Sequence, residues 1–121
     1  MGRLLRSGDG WRIGWDPDAP TYRGLIGGDG WALELSETEL NEFCRLLEQM
    51  VAAISSMAEE LMEQERIDCE LESEWLWLEA EGYPHHYSLR CILQTGRRGE
   101  GSWSPSAVPA LVQAARTLTV F

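Results

Sequence analysis

The residues from Leu35 to Glu65 form the longest uninterrupted amphipathic pattern in the chain. Ser36 followed three residues later by Glu39 is a capping box, in which both side chains satisfy backbone N–H groups at a helix N-terminus. No Gly or Pro interrupts the residues that follow, and apolar side chains recur at alternating spacings of three and four. This apolar seam consists of Leu40, Phe43, Leu47, Met50, Ile54, Met57 and Leu61. The pattern predicts one long helix over about residues 37–65.

Such a helix limits the folds that the chain can adopt. At about 1.5 Å per residue it would span roughly 43 Å, whereas a six-residue strand spans only about 20 Å. A single short-stranded sheet therefore cannot cover it, and the remainder must meet a second sheet, another helix or another subunit. A sustained seam is also found in coiled coils, but the flanking positions lack alternating Glu and Lys. We favour burial against the protein's own sheets.

Strand patterns precede the helix. The tetrapeptide Gly-Asp-Gly-Trp occurs twice, at 8–11 and 28–31, and each copy combines a tight-turn signal with the start of an alternating apolar pattern. The predicted strands are 4–5, 11–15, 22–26 and 31–35.

A second set of strand patterns follows the helix. They begin near Ile67, Trp75 and Tyr87, and a polar loop from Gly96 to Gly101 leads to Trp103. Proline is tolerated in the first turn of a helix, so Pro109 and the apolar residues after it predict a short helix over about 107–118. The chain thus repeats four strands and a helix. We predict an α+β fold in one domain, 1–121, with two pseudo-symmetric halves, 1–66 and 67–121, each a four-stranded antiparallel sheet plus a helix.

Charge is distributed unevenly along the chain. The net charge is −10, and residues 36–81 contain fourteen acids and two Arg, whereas residues 82–121 contain four Arg and one Glu. All ten cationic side chains are Arg. No apolar run approaches the length of a membrane span. Three widely spaced cysteines, Cys44, Cys69 and Cys91, are typical of buried reduced thiols, so we expect a cytoplasmic protein.

The sequence contains no catalytic or metal-binding signature. It lacks Ser-His-Asp, Cys-His and glycine-rich phosphate-loop patterns, and His85-His86 does not have the spacing of a metal site. We expect no enzymatic activity, no metal and no cofactor.

Three groups of residues are candidates for binding. The glutamates at the end of the long helix form either an acidic surface for a partner or, as we favour, a solvated face; they are Glu59, Glu60, Glu63 and Glu65. The six tryptophans either fill the core, which we favour, or form a stacking platform for bases on one sheet. Arg90, Arg97 and Arg98 with Trp103 form the only basic-aromatic cluster, which could hold an anion or an acidic partner because the guanidinium fork suits planar anions. The alternatives are a solvated hairpin tip or arginines paired internally with the chain's many carboxylates.

Three motifs carry a resemblance to a known family. Gly-Trp-Arg at 10–12, Gly-Asp-Gly-Trp-Ala at 28–32, and Glu-Gly-Ser-Trp at 100–103 before Ala-Val-Pro resemble a cyanobacterial family catalogued only as a domain of unknown function. The resemblance covers essentially the whole chain. It implies a fold similar to the Whirly and single-stranded-DNA-binding transcriptional-regulator proteins, which are built from four-strand-plus-helix units. The lysine-rich strand segment with which Whirly proteins contact DNA has no counterpart in this chain.

We expect a non-enzymatic protein-interaction module whose partner is another protein. The alternative is a single-stranded nucleic-acid-binding protein or transcription-related regulator on a Whirly-like scaffold. The net charge and the absence of Lys disfavour that alternative. We expect no membrane partner, and the oligomeric state stays open.

Overall fold

A computed structural model describes residues 3–60 and 65–118 of the chain. It contains eight strands and two helices in the order predicted, so the α+β class with two four-stranded antiparallel sheets is confirmed. The first half comprises β1 (Leu4–Gly8), β2 (Trp11–Trp15), β3 (Gly24–Gly28), β4 (Trp31–Leu35) and α1 (Glu37–Ala58). The second half comprises β5 (Ile67–Glu72), β6 (Leu76–Tyr83), β7 (His86–Leu93), β8 (Gly99–Trp103) and α2 (Val108–Leu118).

Both sheets follow the order of the chain. The first sheet has the order β1-β2-β3-β4 and the second has the order β5-β6-β7-β8, with every neighbouring pair antiparallel. Gly10 and Gly30 occupy the hairpin turns of the first sheet with φ of +80° and +75°. Glycine adopts this region without the steric cost that a Cβ would add, which explains both Gly-Asp-Gly-Trp copies.

Helix α1 begins at the predicted capping box. The Ser36 N–H donates to Glu39 Oε1 at 2.8 Å, and the Glu39 N–H donates to Ser36 Oγ at 3.2 Å. The helix ends at Ala58 rather than Glu65, and Glu59 and Glu60 lie in a turn. The last turn of α1 has no basic residue, so no cation within that turn offsets the unfavourable approach of these carboxylates to the negative end of the helix dipole. Residues 61–64, including the predicted seam residue Leu61, lie outside the described residues.

The helices connect the two halves. Helix α1 packs mainly on β5 and β6 and also reaches β3 and β4, whereas α2 packs mainly on β2. Each helix therefore covers the sheet of the other half, and the second sheet meets the part of α1 that a single sheet cannot cover. The buried residues form one continuous core that includes Ile13, Leu47, Leu78 and Leu111.

Several boundaries differ from the predicted ones. Strand β3 is Gly24–Gly28 rather than 22–26, which leaves Tyr22 in the loop before it. Strands β6 and β7 begin at Leu76 and His86, each one residue from the predicted start. Strand β8 begins at Gly99, inside the predicted polar loop.

The glycines of β8 explain why this segment is a strand. A Cβ at Gly99 would lie 2.7 Å from Leu33 Cδ2, and a Cβ at Gly101 would collide with the Trp31 ring. These glycines admit side chains of the other sheet, so they mark a close sheet-to-sheet contact rather than a flexible loop.

No helix among the described residues has the length and apolar character to cross a membrane.

Candidate binding surface on the second sheet

Trp103 lies at the junction of the two sheets. It is 2% exposed, and its Nε1–H donates to the Gly27 carbonyl of β3 at 2.8 Å. Its ring centroid lies 5.0 Å from that of Trp31 and 5.6 Å from that of Phe43. Trp31 makes the reciprocal contact, donating its Nε1–H to the Ser102 carbonyl at 3.1 Å. Trp103 therefore holds the sheets together and is not exposed to an anion or a partner.

The side chain of Arg97 makes its contacts with other residues of the same chain. Its guanidinium forms an ion pair with Glu39, donates to the Glu34 carbonyl at 2.7 Å, and lies 4.2 Å from the centroid of the Tyr22 ring. These contacts join the β7–β8 connection to the start of α1 and to the β2–β3 loop. One alternative from the sequence, internal pairing with a carboxylate, describes this arginine.

Glu39 is the buried partner in this ion pair, with 3% exposure. Burial alone would raise the pKa of its carboxyl, but the Ser36 N–H, the Thr95 hydroxyl and the Arg97 guanidinium outweigh burial and lower that pKa below the ordinary value. The Thr95 hydroxyl donates to Glu39 Oε2 at 2.8 Å. Glu39 therefore ties the cap of α1 to the second sheet.

The other two candidate arginines have different surroundings. Arg98 is exposed, has a φ of 48°, and its side chain has no partner among residues 3–60 and 65–118. Arg90 projects from β7, forms an ion pair with Glu100 at 3.2 Å, and lies 5.5 Å from the centroid of the Trp77 ring. The guanidinium groups of Arg90, Arg97 and Arg98 therefore have three different surroundings, and of the four candidate residues only Arg90 and Trp103 line one open depression among the described residues.

The outer face of the second sheet carries a concentration of acidic side chains. Strand alternation directs apolar residues such as Leu78 and Leu89 into the core and places charged residues on the opposite side. None of the described elements covers that side. Partly exposed Trp77 and Ile92 are cross-strand neighbours on this side, and Glu72 of β5 and Glu100 of β8 lie opposite them. We call this surface the acidic face; its residues are Asp68, Glu70, Glu72, Glu79, Glu81 and Glu100 with Trp77, Arg90 and Ile92.

The strand register places like charges directly opposite each other. Glu70 faces Glu79, and Asp68 faces Glu81, across β5 and β6. A hydrogen bond with Asp68, then burial and the nearby carboxylates, raise the pKa of the Glu79 carboxyl. One carboxylate oxygen from each of Asp68, Glu70 and Glu79 lies within 4.8 Å of the others. Carboxylates this close repel one another, which favours a cationic side chain beside them.

Two arginines offset part of this charge. Arg66 pairs with Glu81 at 3.1 Å, and Arg90 pairs with Glu100. Six carboxylates against two guanidinium groups leave the acidic face with four uncompensated negative charges. The alternation of acids along 67–72 is visible in the sequence, but their pairing with acids of β6 depends on the strand register. This is why the sequence alone did not identify the face.

A family model and a solved structure match the chain. A family model described as Domain of unknown function (DUF1818) matches residues 6–118. The crystal structure of a protein with unknown function from the DUF155 family from Prochlorococcus sp. NATL2A is similar, with a TM-score of 0.92 and 29% identity over 98% of this chain and 99% of that one. No curated protein matches the chain.

Proposed function

The chain belongs to the family described as Domain of unknown function (DUF1818), and we propose that it is a non-enzymatic interaction module that binds a positively charged segment of another protein on the acidic face. The single observation that carries this proposal is the outer face of the second sheet, which no described element covers and on which the Trp77–Ile92 pair lies between Glu72 of β5 and Glu100 of β8. A partly exposed aromatic centre with a polar rim is the usual arrangement of a protein-binding surface.

The cost of the acidic face to the free protein supports this assignment. Like charges directly opposite each other in a sheet destabilise it, and cross-strand pairs have effects of about 0.2–1 kcal/mol each. Two such pairs occur, Glu70–Glu79 and Asp68–Glu81, and only part of their charge is offset, by Arg66 beside Glu81 and Arg90 opposite Glu79. Cationic side chains of a partner would relieve this repulsion on binding, so residues that weaken the fold would strengthen the complex.

The proposal includes a cytoplasmic location, because free thiols are typical of proteins in a reducing compartment. Cys44, Cys69 and Cys91 are free thiols in the structure. Burial raises the pKa of the Cys44 and Cys91 thiols to about 12, which keeps them protonated and unreactive.

Single-stranded nucleic acid is the alternative that the resemblance to Whirly proteins implies. On that scaffold a sheet face with exposed indoles would stack bases, and Trp77 beneath Arg90 is the pair that would do so here. The carboxylates around this pair oppose a phosphate backbone. We therefore place nucleic acid second to a basic protein segment.

Charge reversal on the acidic face tests the proposal. The double variant Glu70→Lys with Glu79→Lys is compared with the control Glu59→Lys with Glu60→Lys, which makes the same change in net charge in the exposed turn after α1. Tagged wild-type protein and both variants are used to capture partners from a lysate of the source organism, with and without nuclease.

We expect a basic protein that is captured by the wild type and the control but lost with the acidic-face variant, and whose capture resists nuclease. Equal capture by both variants would remove the acidic face as the binding surface. Capture that disappears after nuclease treatment would favour the nucleic-acid alternative instead.

A further inference from the structure

Strand β1 is an open edge of the first sheet. In the order β1-β2-β3-β4 its outer edge pairs with no strand in the described part of the chain, and all five of its residues are exposed. Leu4 and Leu5 are 41% and 51% exposed, more than the other large apolar side chains that the structure describes. An edge strand presents unpaired N–H and C=O groups to any extended chain that approaches it.

A groove runs between this edge and helix α2. Because α2 packs mainly on β2, the surface beside β1 is left uncovered. Arg6 and Trp11 line the sheet side of the groove, and Ala110, Gln113 and Ala114 line the helix side. The groove has a volume of about 570 Å³. An edge strand beside a helix is an arrangement that binds extended peptides by strand addition.

The charge of the edge indicates the chemistry of its occupant. Arg3 and Arg6 have no ion-pair partner among the described residues, although acids outnumber cations twenty to ten in the whole chain. None of the residues that line the groove is acidic. A cationic edge in an acidic protein suits a segment with carboxylates, since complementary charges favour specific encounter.

We propose that β1 binds an extended, acidic segment of a partner protein, which pairs as a fifth strand of the first sheet and places a carboxylate beside Arg6. A second copy of the chain fits less well. Two β1 strands would bring the arginines of both copies together, and β1, with the sequence LLRSG, has no carboxylate to offset them. This site is distinct from the acidic face and takes the opposite charge.

A short synthetic peptide tests the site directly. The probe is a fluorescein-labelled, end-capped seven-residue peptide of alternating glutamate and valine, and the matched peptide has glutamine in place of glutamate. Fluorescence anisotropy should show saturable binding of the glutamate peptide and at least about tenfold weaker binding of the glutamine peptide. Equal affinities for the two peptides would overturn the assignment of an acidic partner.

Protein variants locate the binding. Arg6→Glu should weaken binding of the glutamate peptide by about tenfold or more. Arg45→Glu makes the same change in net charge on α1 and should leave binding unchanged. The acidic-face variant with Lys at positions 70 and 79 should also bind the peptide at least as well as the wild type, which separates this site from the proposed function. Circular dichroism confirms that each variant is folded, and equal loss in Arg6→Glu and Arg45→Glu would contradict a site at β1.

Backbone methylation tests strand pairing. Two further peptides carry N-methyl groups on alternate backbone nitrogens, one on the odd positions and one on the even positions. Strand addition uses the N–H groups of only one set, so one methylated peptide should lose binding and the other should keep it. Retained binding of both would overturn strand addition. Sedimentation tests whether a second copy occupies the edge instead. If the wild type is a dimer that the peptide does not dissociate, and Arg6→Glu is a monomer, then a second copy is the occupant and the proposal of an acidic partner is overturned.

Discussion

The two sheets share one strand order but differ in what they place opposite each other. In the first sheet every charged residue faces an uncharged one across the strands, as Arg6 faces Ile13 and Glu34 faces Leu25. In the second sheet Glu70 faces Glu79 and Asp68 faces Glu81. Because the first sheet forms without such pairs, the fold does not require them. This comparison supports the proposed role of the acidic face, because strand pairing alone gives no reason for its carboxylates.

The central strands of the two sheets also differ in how much glycine they contain. A Cβ at Gly24 would lie 2.9 Å from Leu40 Cβ, and a Cβ at Gly28 would lie 2.5 Å from Trp31 Nε1. These inward positions of β3 admit large side chains, so the first sheet is built for close packing. The central strands of the second sheet, β6 and β7, have eight residues each and present long side chains outward.

The largest difference in stability is expected between alanine substitutions of a tryptophan at the sheet junction and of one on the acidic face. Trp103→Ala removes a buried ring, its hydrogen bond to Gly27 and its contacts with Trp31 and Phe43, and should cost about 3–5 kcal/mol. Trp77→Ala removes a partly exposed ring and should cost less than ~1 kcal/mol. Urea denaturation of both variants measures the difference. Similar losses would mean that the outer face is as tightly packed as the junction.

Alanine substitutions of the two loop arginines, Arg97 and Arg98, should show the next largest difference in stability. Arg97→Ala leaves the buried Glu39 carboxylate without its cationic partner and should cost about 1–3 kcal/mol. Arg98→Ala removes an exposed side chain and should change stability by less than ~0.5 kcal/mol. Thermal melts of the single variants decide this, and an unchanged melting temperature for Arg97→Ala would mean that the ion pair contributes nothing to the fold.

Glu39 also predicts a dependence of stability on pH. Its pKa is lower in the folded protein than the ordinary value of 4.5. The folded state therefore binds this proton less readily than the unfolded state, so the contribution is complete above that value and is lost as pH falls through the folded pKa. Glu39→Gln should lack this component of the acid-induced loss of stability. An identical pH profile in the variant and the wild type would contradict it.

Much of the fold was predictable because local patterns specified it. The Ser36–Glu39 box, the uninterrupted seam and the paired Gly-Asp-Gly-Trp turns each act over a few residues. The site was not predictable in the same way. Arg97 meets Glu39 from a position 58 residues away, and Glu70 meets Glu79 through the register of two strands. Such contacts depend on tertiary placement, which spacing along the chain does not contain.

The smallest expected effect is a gain in stability on the acidic face. Glu79→Gln removes a carboxylate that faces Glu70 on β5 and Arg90 on β7. Because Asp68, Glu70 and Glu81 all lie near this carboxylate, repulsion outweighs the single arginine, and the variant should be more stable by up to about 0.5 kcal/mol. Glu34→Gln in the first sheet, opposite Leu25, is the matched control and should have no such effect. Because the pKa of Glu79 is raised, its unfavourable contribution exists above the folded pKa and fades as pH falls toward 4.5, so the gain should shrink there. Chemical denaturation at pH 7 and pH 4.5 measures both, and a loss of stability in Glu79→Gln would mean that this carboxylate supports the sheet.

The most direct measurement of the central claim is an NMR titration of labelled protein with a cationic peptide of alternating lysine and alanine. We predict that amide shifts concentrate on the outward residues of β5–β8 and on the Trp77 indole N–H, that the outer face of the first sheet is unaffected, and that the affinity falls as salt is added. The double variant with Lys at positions 70 and 79 should show no such shifts. Shifts of equal size on both sheets, or shifts that persist in that variant, would contradict a binding role for the acidic face.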